Sequence, residues 1–161
     1  MTDLEPENPS QAGMPRAKGL TKEYPSSGIT VIWDPTRCIH TGRCLRALPA
    51  VFDLNRHPWV NVASAQPDEI AAVIRMCPTD ALRYRPGPEL GAEQPQTPTT
   101  IEPRPNGPLF VRGLIQIVNQ RGEVVGEETR VALCRCGASA NKPFCDNSHL
   151  RINFRSSNDS Q

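Results

Sequence analysis

The chain has 161 residues, of which 37% are hydrophobic, 5% aromatic and 22% charged, and its formal net charge is +1. That balance gives no electrostatic reason to expect a nucleic acid or a membrane as partner. No apolar run approaches the roughly 20 residues that cross a bilayer. The opening stretch MTDLEPENPSQAG has no apolar core of the secretory kind, so a soluble, cytoplasmic protein is expected.

Residues 1–28 hold Pro6, Pro9, Pro15 and Pro25 without a hydrophobic period and read as a disordered tail. From Ile29 the alternation through Val31 and Trp33 predicts a strand, and residues 59–62 suggest another. Pro67 then opens a helix. Asp68 and Glu69 suit its positive end, and Ile70, Val73 and Ile74 form its apolar stripe. Cys77 continues that stripe one step further, and Pro78 disfavours helix at the cysteine, so Cys77 is expected to point inward from the helix end.

Seven prolines fall in residues 86–108, and 87–107 reads as a semi-extended linker without a core. Strand patterns return at 109–111, 114–118, 124–125 and 129–134, with Asn119, Gln120, Arg121 and Gly122 as a turn. Two folded pieces are therefore expected, 29–86 and 108–156, followed by a tail at 157–161. Pieces below roughly 70 residues rarely hold together without a disulfide, a metal or a partner.

The six cysteines fall into two groups, Cys38, Cys44 and Cys77, then Cys134, Cys136 and Cys145. Three disulfides would be the expectation in a secreted chain, whereas a reducing compartment favours metal sites. Two sites of three cysteines each is the simplest reading.

In the second group, Cys134 and Cys136 are one residue apart, so one loop aims both thiolates at one centre. Cys145 and His149 are i and i+4 and share a helical face, which Asp146 is placed to cap. Three thiolates and an imidazole close a four-ligand set, which suits structural zinc as well as iron. The full pattern, Cys-x-Cys-x-x-Ser-x-x-x-Pro-x-Cys-Asp-x-Ser-His, resembles the CDGSH iron–sulfur domains over about 108–156, with Asn147 where the name-giving motif has Gly. The resemblance implies that Cys134, Cys136, Cys145 and His149 hold one [2Fe-2S] cluster, with Cys145 and His149 on the outer iron. It also implies a redox-active, acid-labile cluster and a homodimer. Lys142 either places positive charge near that cluster or is a solvated loop lysine.

In the first group, Cys38-Ile-His40-Thr41-Gly-Arg-Cys44 and the later Cys77-Pro78 resemble a single-cluster ferredoxin. The nearest pattern is the divergent 4Fe-4S mono-cluster domain, over about 29–86, with Thr41 at the middle cysteine position. The resemblance implies a [3Fe-4S] cluster on Cys38, Cys44 and Cys77, or a [4Fe-4S] cluster if His40 supplies a fourth ligand. Otherwise His40 is a histidine beside the cluster, and zinc or an empty site is the bland alternative. Trp33, Phe52 and Trp59 read as core residues, and His57 as an exposed loop residue.

The expected fold class is α+β, a small ferredoxin-like domain followed by a small β-rich CDGSH-type domain with a short cluster-binding helix. No phosphate loop or dinucleotide fingerprint is present, and no catalytic residue is assigned, so an enzyme is not expected. The leading expectation is a two-cluster carrier of single electrons between a reductase and an acceptor. The alternatives are a protein that hands its [2Fe-2S] cluster to an apo iron–sulfur acceptor or senses redox state or pH, and a zinc-stabilised binding module.

Overall fold

A computed structural model describes residues 20–157. The elements run β1 (Lys22–Pro25), β2 (Ile29–Trp33), α1 (Arg43–Ala47), α2 (Pro67–Ile74), β3 (Leu82–Pro86), β4 (Thr100–Pro103), β5 (Leu109–Val118), β6 (Val124–Leu133) and α3 (Ser148–Arg151). They form two antiparallel three-stranded sheets, ordered β1-β2-β3 and β4-β5-β6. The fold is α+β, as expected. Among the described residues no helix is long and apolar enough to cross a membrane.

In the first half β2 is central, pairing Val31 with Tyr24 of β1 and with Tyr84 of β3. Its inward residues Ile29 and Val31 pack with Val51, Phe52, Val60, Leu82 and the buried α2 face of Ile70, Ala71 and Ile74. Pro67 begins α2, and the Glu69 carboxylate accepts from the Gln66 N–H at 2.9 Å, satisfying a donor that the helix leaves free. Residues 59–62 do not form a strand. Val60 pairs only in an isolated bridge with Phe52, because the Asn61 side chain accepts from Ala63 N–H at 3.2 Å and starts a 3₁₀ turn, Val62–Ser64.

Two boundaries shift. The predicted tail 1–28 contains β1, held by its pairing and by half-buried Tyr24, while residues 1–19 lie outside the described ones. The predicted linker is a strap tied down along its length. Leu90 packs on the first core, the Tyr84 hydroxyl donates to Gly91 O at 3.0 Å, and β4 pairs with β5. Its prolines permit this because edge strands and extended segments need few backbone donors, and Pro103 ends an edge strand.

In the second half β5 and β6 are continuous ten-residue strands, with register shifts absorbing the breaks in pattern after Arg112 and after Ile117. The buried apolar residues form two small groups on opposite sheet faces, Phe110, Ala132 and Cys145 on one, Val111, Val131 and Phe144 on the other. On the first of these faces β6 also buries Glu128 and Arg130.

Those two charges join the halves. Arg130 Nη1 donates to the carbonyls of Ile74 and Cys77, each at 2.6 Å, and Nη2 donates to Asp80 Oδ1 at 2.8 Å, Leu82 O at 3.2 Å and Glu93 Oε2 at 2.9 Å. Although burial works against the guanidinium, Asp80 and Glu93 hold its pKa above the ordinary value. A second buried pair, Arg37 with Glu128 at 3.2 Å, lies alongside, and the Arg37 guanidinium stacks 3.5 Å from the Phe144 ring centre.

Candidate metal centres

In the second half the loop after β6 folds back onto the strand. Cys134 N–H donates to Pro143 O and Cys145 N–H donates to Ala132 O, both at 2.8 Å, which sets the two cysteines side by side. Ser139 fastens the loop by donating to Phe144 O at 2.6 Å, and Arg135 by donating to Gly107 O and Arg104 O at 2.9 and 2.7 Å. Asn147, at φ 69, then turns the chain into α3, a left-handed conformation that Asn tolerates as Gly does. Asp146 accepts from Ser148 N–H at 3.0 Å, as expected of a cap, and from Ala140 N–H at 2.9 Å. The Ser148 hydroxyl and these N–H groups hold its carboxyl well below the usual carboxylate range.

Cys134, Cys136, Cys145 and His149 line one small cavity. They sit as two pairs, Cys134 Sγ to Cys136 Sγ 3.9 Å and Cys145 Sγ to His149 Nδ1 3.6 Å. Two sulfurs on one tetrahedral metal at about 2.3 Å stand roughly 3.8 Å apart. Among the described residues no three such donors converge to hold a single ion. Backbone N–H groups point at the sulfurs, Ala138 at Cys136 over 3.5 Å and Asn147 at Cys145 over 3.4 Å. Burial raises the Cys145 pKa, whereas at Cys134 the N–H groups of Ser139 and Gly137 outweigh burial and lower it, with help from Lys142. Lys142 is exposed and donates to Ser139 O at 2.8 Å, so it is a loop lysine that also lends its charge. Burial lowers the His149 pKa, favouring the neutral imidazole that a metal binds.

In the first half Cys38 follows a turn fixed by Asp34, which accepts from Thr36 N–H at 2.9 Å. Cys44 lies in the first turn of α1, entered through Gly42 at φ 67. A side chain there would be strained and would meet the Arg46 guanidinium. Cys77 lies beyond the end of α2, its N–H donating to Ile74 O at 3.0 Å. The three cysteines line one cavity with His40, Thr41, Trp33 and Trp59. His40 Nδ1 is 3.8 Å from Cys38 Sγ, and Thr79 Oγ1 is 3.6 Å from Cys77 Sγ. Burial raises the pKa of Cys38 and Cys44, and the charge of neighbouring Cys77 adds to it. Raised values favour neutral thiols at Cys38 and Cys44 until a cation binds them as thiolates. Trp33 and Trp59, read as core from the sequence, pack edge to face at 5.1 Å and wall this cavity, whereas Phe52 is buried in the core.

The two sites touch. Asn147, between Cys145 and His149, donates from Nδ2 to the carbonyl of Ile39, between Cys38 and His40, at 2.9 Å. The Ile39 side chain packs against Phe110, Ala132 and Cys145. No sequence motif marks Asp80, Glu93, Arg130 or Asn147 as joining the halves. The signal available for Arg130 was its alternation with Glu128 and Ala132 along one strand face, a charged pair on what the period marks as an inward side.

Comparison with known proteins bears on both halves. The family described as "Divergent 4Fe-4S mono-cluster" matches residues 24–87, and the family described as "Iron-binding zinc finger CDGSH type" matches residues 106–150. The chain is also similar to the uncharacterized protein YjdI of Escherichia coli strain K12, 34% identical over 62 residues, which are 38% of this chain and 82% of that protein. The YjdI of Escherichia coli O157:H7 matches to the same extent. Two cysteine-lined cavities, each within one of these matches, agree with an iron–sulfur protein: the chain belongs to one family with YjdI, its first half matching the divergent 4Fe-4S mono-cluster domain and its second half the CDGSH-type iron-binding domain.

Proposed function

We propose that this protein carries single electrons through two iron–sulfur clusters, between a reductase and an acceptor. Cys134, Cys136, Cys145 and His149 hold a [2Fe-2S] cluster, each donor pair serving one iron. Cys38, Cys44 and Cys77 hold the second, and His40, spaced from Cys38 much as His149 is from Cys145, completes a [4Fe-4S] ligand set. When bound, such clusters supply reversible one-electron chemistry. Around them, the N–H groups of Ala138 and Asn147 stabilise negative charge on sulfur, and neutral His149 leaves the site one charge less negative than a fourth thiolate would, which favours the reduced state.

The observation that carries the reading is the hydrogen bond from Asn147 to Ile39, with Ile39 against Cys145. The two cysteine-bearing loops thus meet in one packed contact, which supports electron exchange within the chain. The test is iron and sulfide per chain on anaerobically purified protein, with electron paramagnetic resonance before and after reduction. About six irons, a silent oxidised sample and signals from both centres on reduction are expected. About five irons with a signal in the oxidised state would indicate [3Fe-4S] and remove His40 from the ligand set. Zinc without sulfide would overturn the proposal, and loss of the [2Fe-2S] cluster to an apo acceptor during repeated reduction would replace electron transfer by cluster transfer.

A further inference from the structure

The net charge of +1 conceals a local gathering of arginines. Beside the first site, an open cleft of about 520 Å³ is lined by Arg43, Arg46, Arg75 and Arg112, with Ala72 and Met76 among the apolar groups between them. Arg43, which also lines the cysteine cavity, precedes Cys44, and Met76 precedes Cys77, so the cleft is bordered by the chain neighbours of two of the three cysteines.

The four guanidinium groups are not neutralised. Arg43 donates to Met76 O at 3.4 Å, Arg46 to Thr41 O at 2.9 Å, Arg75 to the Tyr84 hydroxyl at 2.7 Å and Arg112 to Arg75 O at 3.0 Å. None of the four forms an ion pair with a carboxylate among the described residues. Each guanidinium carries five donors, so most remain available. Arg112 faces a like charge. It stands directly opposite Arg130 on the neighbouring strand, and burial together with Arg130 and Arg43 lowers its pKa. Like charges facing across a ladder are destabilising. Arg130 is satisfied by Asp80 and Glu93; Glu93 and Cys77 offset part of the positive field at Arg112, which itself forms no ion pair among the described residues.

We infer that this cleft is the docking site for an acidic redox protein that exchanges electrons with the first cluster, an inference that rests on the two-cluster reading above. Arginine and methionine are residues that interfaces favour, and exposed Met76 and Ala72 give the cleft an apolar floor within a charged rim. Carboxylates on the partner would pair with Arg43, Arg46, Arg75 and Arg112, steering encounter and setting orientation. The transfer is one electron from the reduced partner to the cluster, the partner being oxidised and the cluster reduced, with no bond or proton exchanged. A phosphate backbone is the less fitting occupant, because four arginines gathered in one cleft make a local patch and not the extended basic track that a nucleic acid follows.

The test uses the loaded full chain and a plant-type ferredoxin as the acidic, low-potential probe. Calorimetry should give a Kd that weakens at least about tenfold between about 50 and 300 mM salt. In Arg46→Gln/Arg75→Gln, two exposed positions, affinity and the rate of reduction by the probe should each fall about tenfold and lose most of their salt dependence. Cluster absorbance and melting temperature should stay at wild-type values. Equal affinity and rate in the variant, or reduction by dithionite but not by the probe, would overturn the docking site while leaving the redox reading intact. A first site that dithionite cannot reduce would instead overturn the redox reading. Saturable binding of a DNA duplex, with the ferredoxin rate unchanged, would reassign the cleft.

Discussion

The Arg130 guanidinium, from the second half of the chain, donates to the backbone carbonyl of Cys77, a candidate ligand in the first half, at 2.6 Å. The same side chain neutralises Asp80 and Glu93, and its exposure is only 2%. One residue therefore fixes the end of α2, the strap and β6 together.

Arg130→Met is expected to destabilise the protein by about 3–5 kcal/mol, because it leaves Asp80 and Glu93 without their cation in a buried place. Arg130→Lys should recover only part of this, since one ammonium cannot span two carboxylates and three carbonyls. Denaturant unfolding of the loaded protein measures both. A loss below about 1 kcal/mol in Arg130→Met would show that the halves are held by something else.

His149 governs the acid response of the second site. Burial lowers its pKa, so the native state binds fewer protons than the unfolded chain and loses stability as pH falls through the ordinary histidine range. Protonation also removes the ligand. Cluster absorbance should thus bleach on acidification. In His149→Cys the bleaching should shift to lower pH and slow, while the added thiolate charge lowers the reduction potential by on the order of 100 mV or more. Unchanged lability and potential would remove His149 from the ligand set.

At Asn147 backbone and side chain can be separated. Asn147→Gly keeps the left-handed turn and loses only the bond to Ile39, so a cost of about 0.5–1.5 kcal/mol is expected, with slower exchange between the clusters. Asn147→Ala loses the bond and adds about 1–2 kcal/mol of conformational strain. Thermal melting and rapid-mixing reduction of both centres compare the two.

His40→Ala is expected to cost about one iron per chain, whereas Cys38→Ala, Cys44→Ala or Cys77→Ala should each empty the first site. Iron analysis and paramagnetic resonance decide it. No change in His40→Ala would leave the histidine beside the cluster rather than on it.

Gly113 lies at φ 148, and an added Cβ would fall 2.2 Å from Thr99 Oγ1 and 2.7 Å from Thr99 Cα. Gly113→Ala must push the strap away from β5, at a cost of about 1–3 kcal/mol. A melting temperature equal to wild type would mean that the strap yields freely.

The candidate ligands of the second site were legible in the sequence because metal-ligand spacing is local. Cys134, Cys136, Cys145 and His149 lie within sixteen positions, and the structure gathers them around one cavity. The helix at Pro67–Ile74 was legible from its opening proline and apolar stripe. The strap was not, because prolines look alike in a free linker and an edge strand, and what ties 87–107 down, Tyr84, β5 and Arg130, lies elsewhere in the chain. The cleft escaped for a related reason. Arg43, Arg46, Arg75 and Arg112 come from three elements, and a net charge averages over the surface where they meet.

The order of synthesis gives the Arg130 contacts a last consequence. The carbonyl of Cys77 and the carboxylates of Asp80 and Glu93 emerge from the ribosome some forty or fifty residues before the guanidinium that binds them. Until β6 has been made and docked, those groups must stay hydrated and the end of α2 lacks its anchor. The site that is translated first is thus finished only when the second half is in place. Loading of the proposed first cluster is therefore expected to follow translation of β6, and a chain cut short before Arg130 would leave the end of α2 without that anchor.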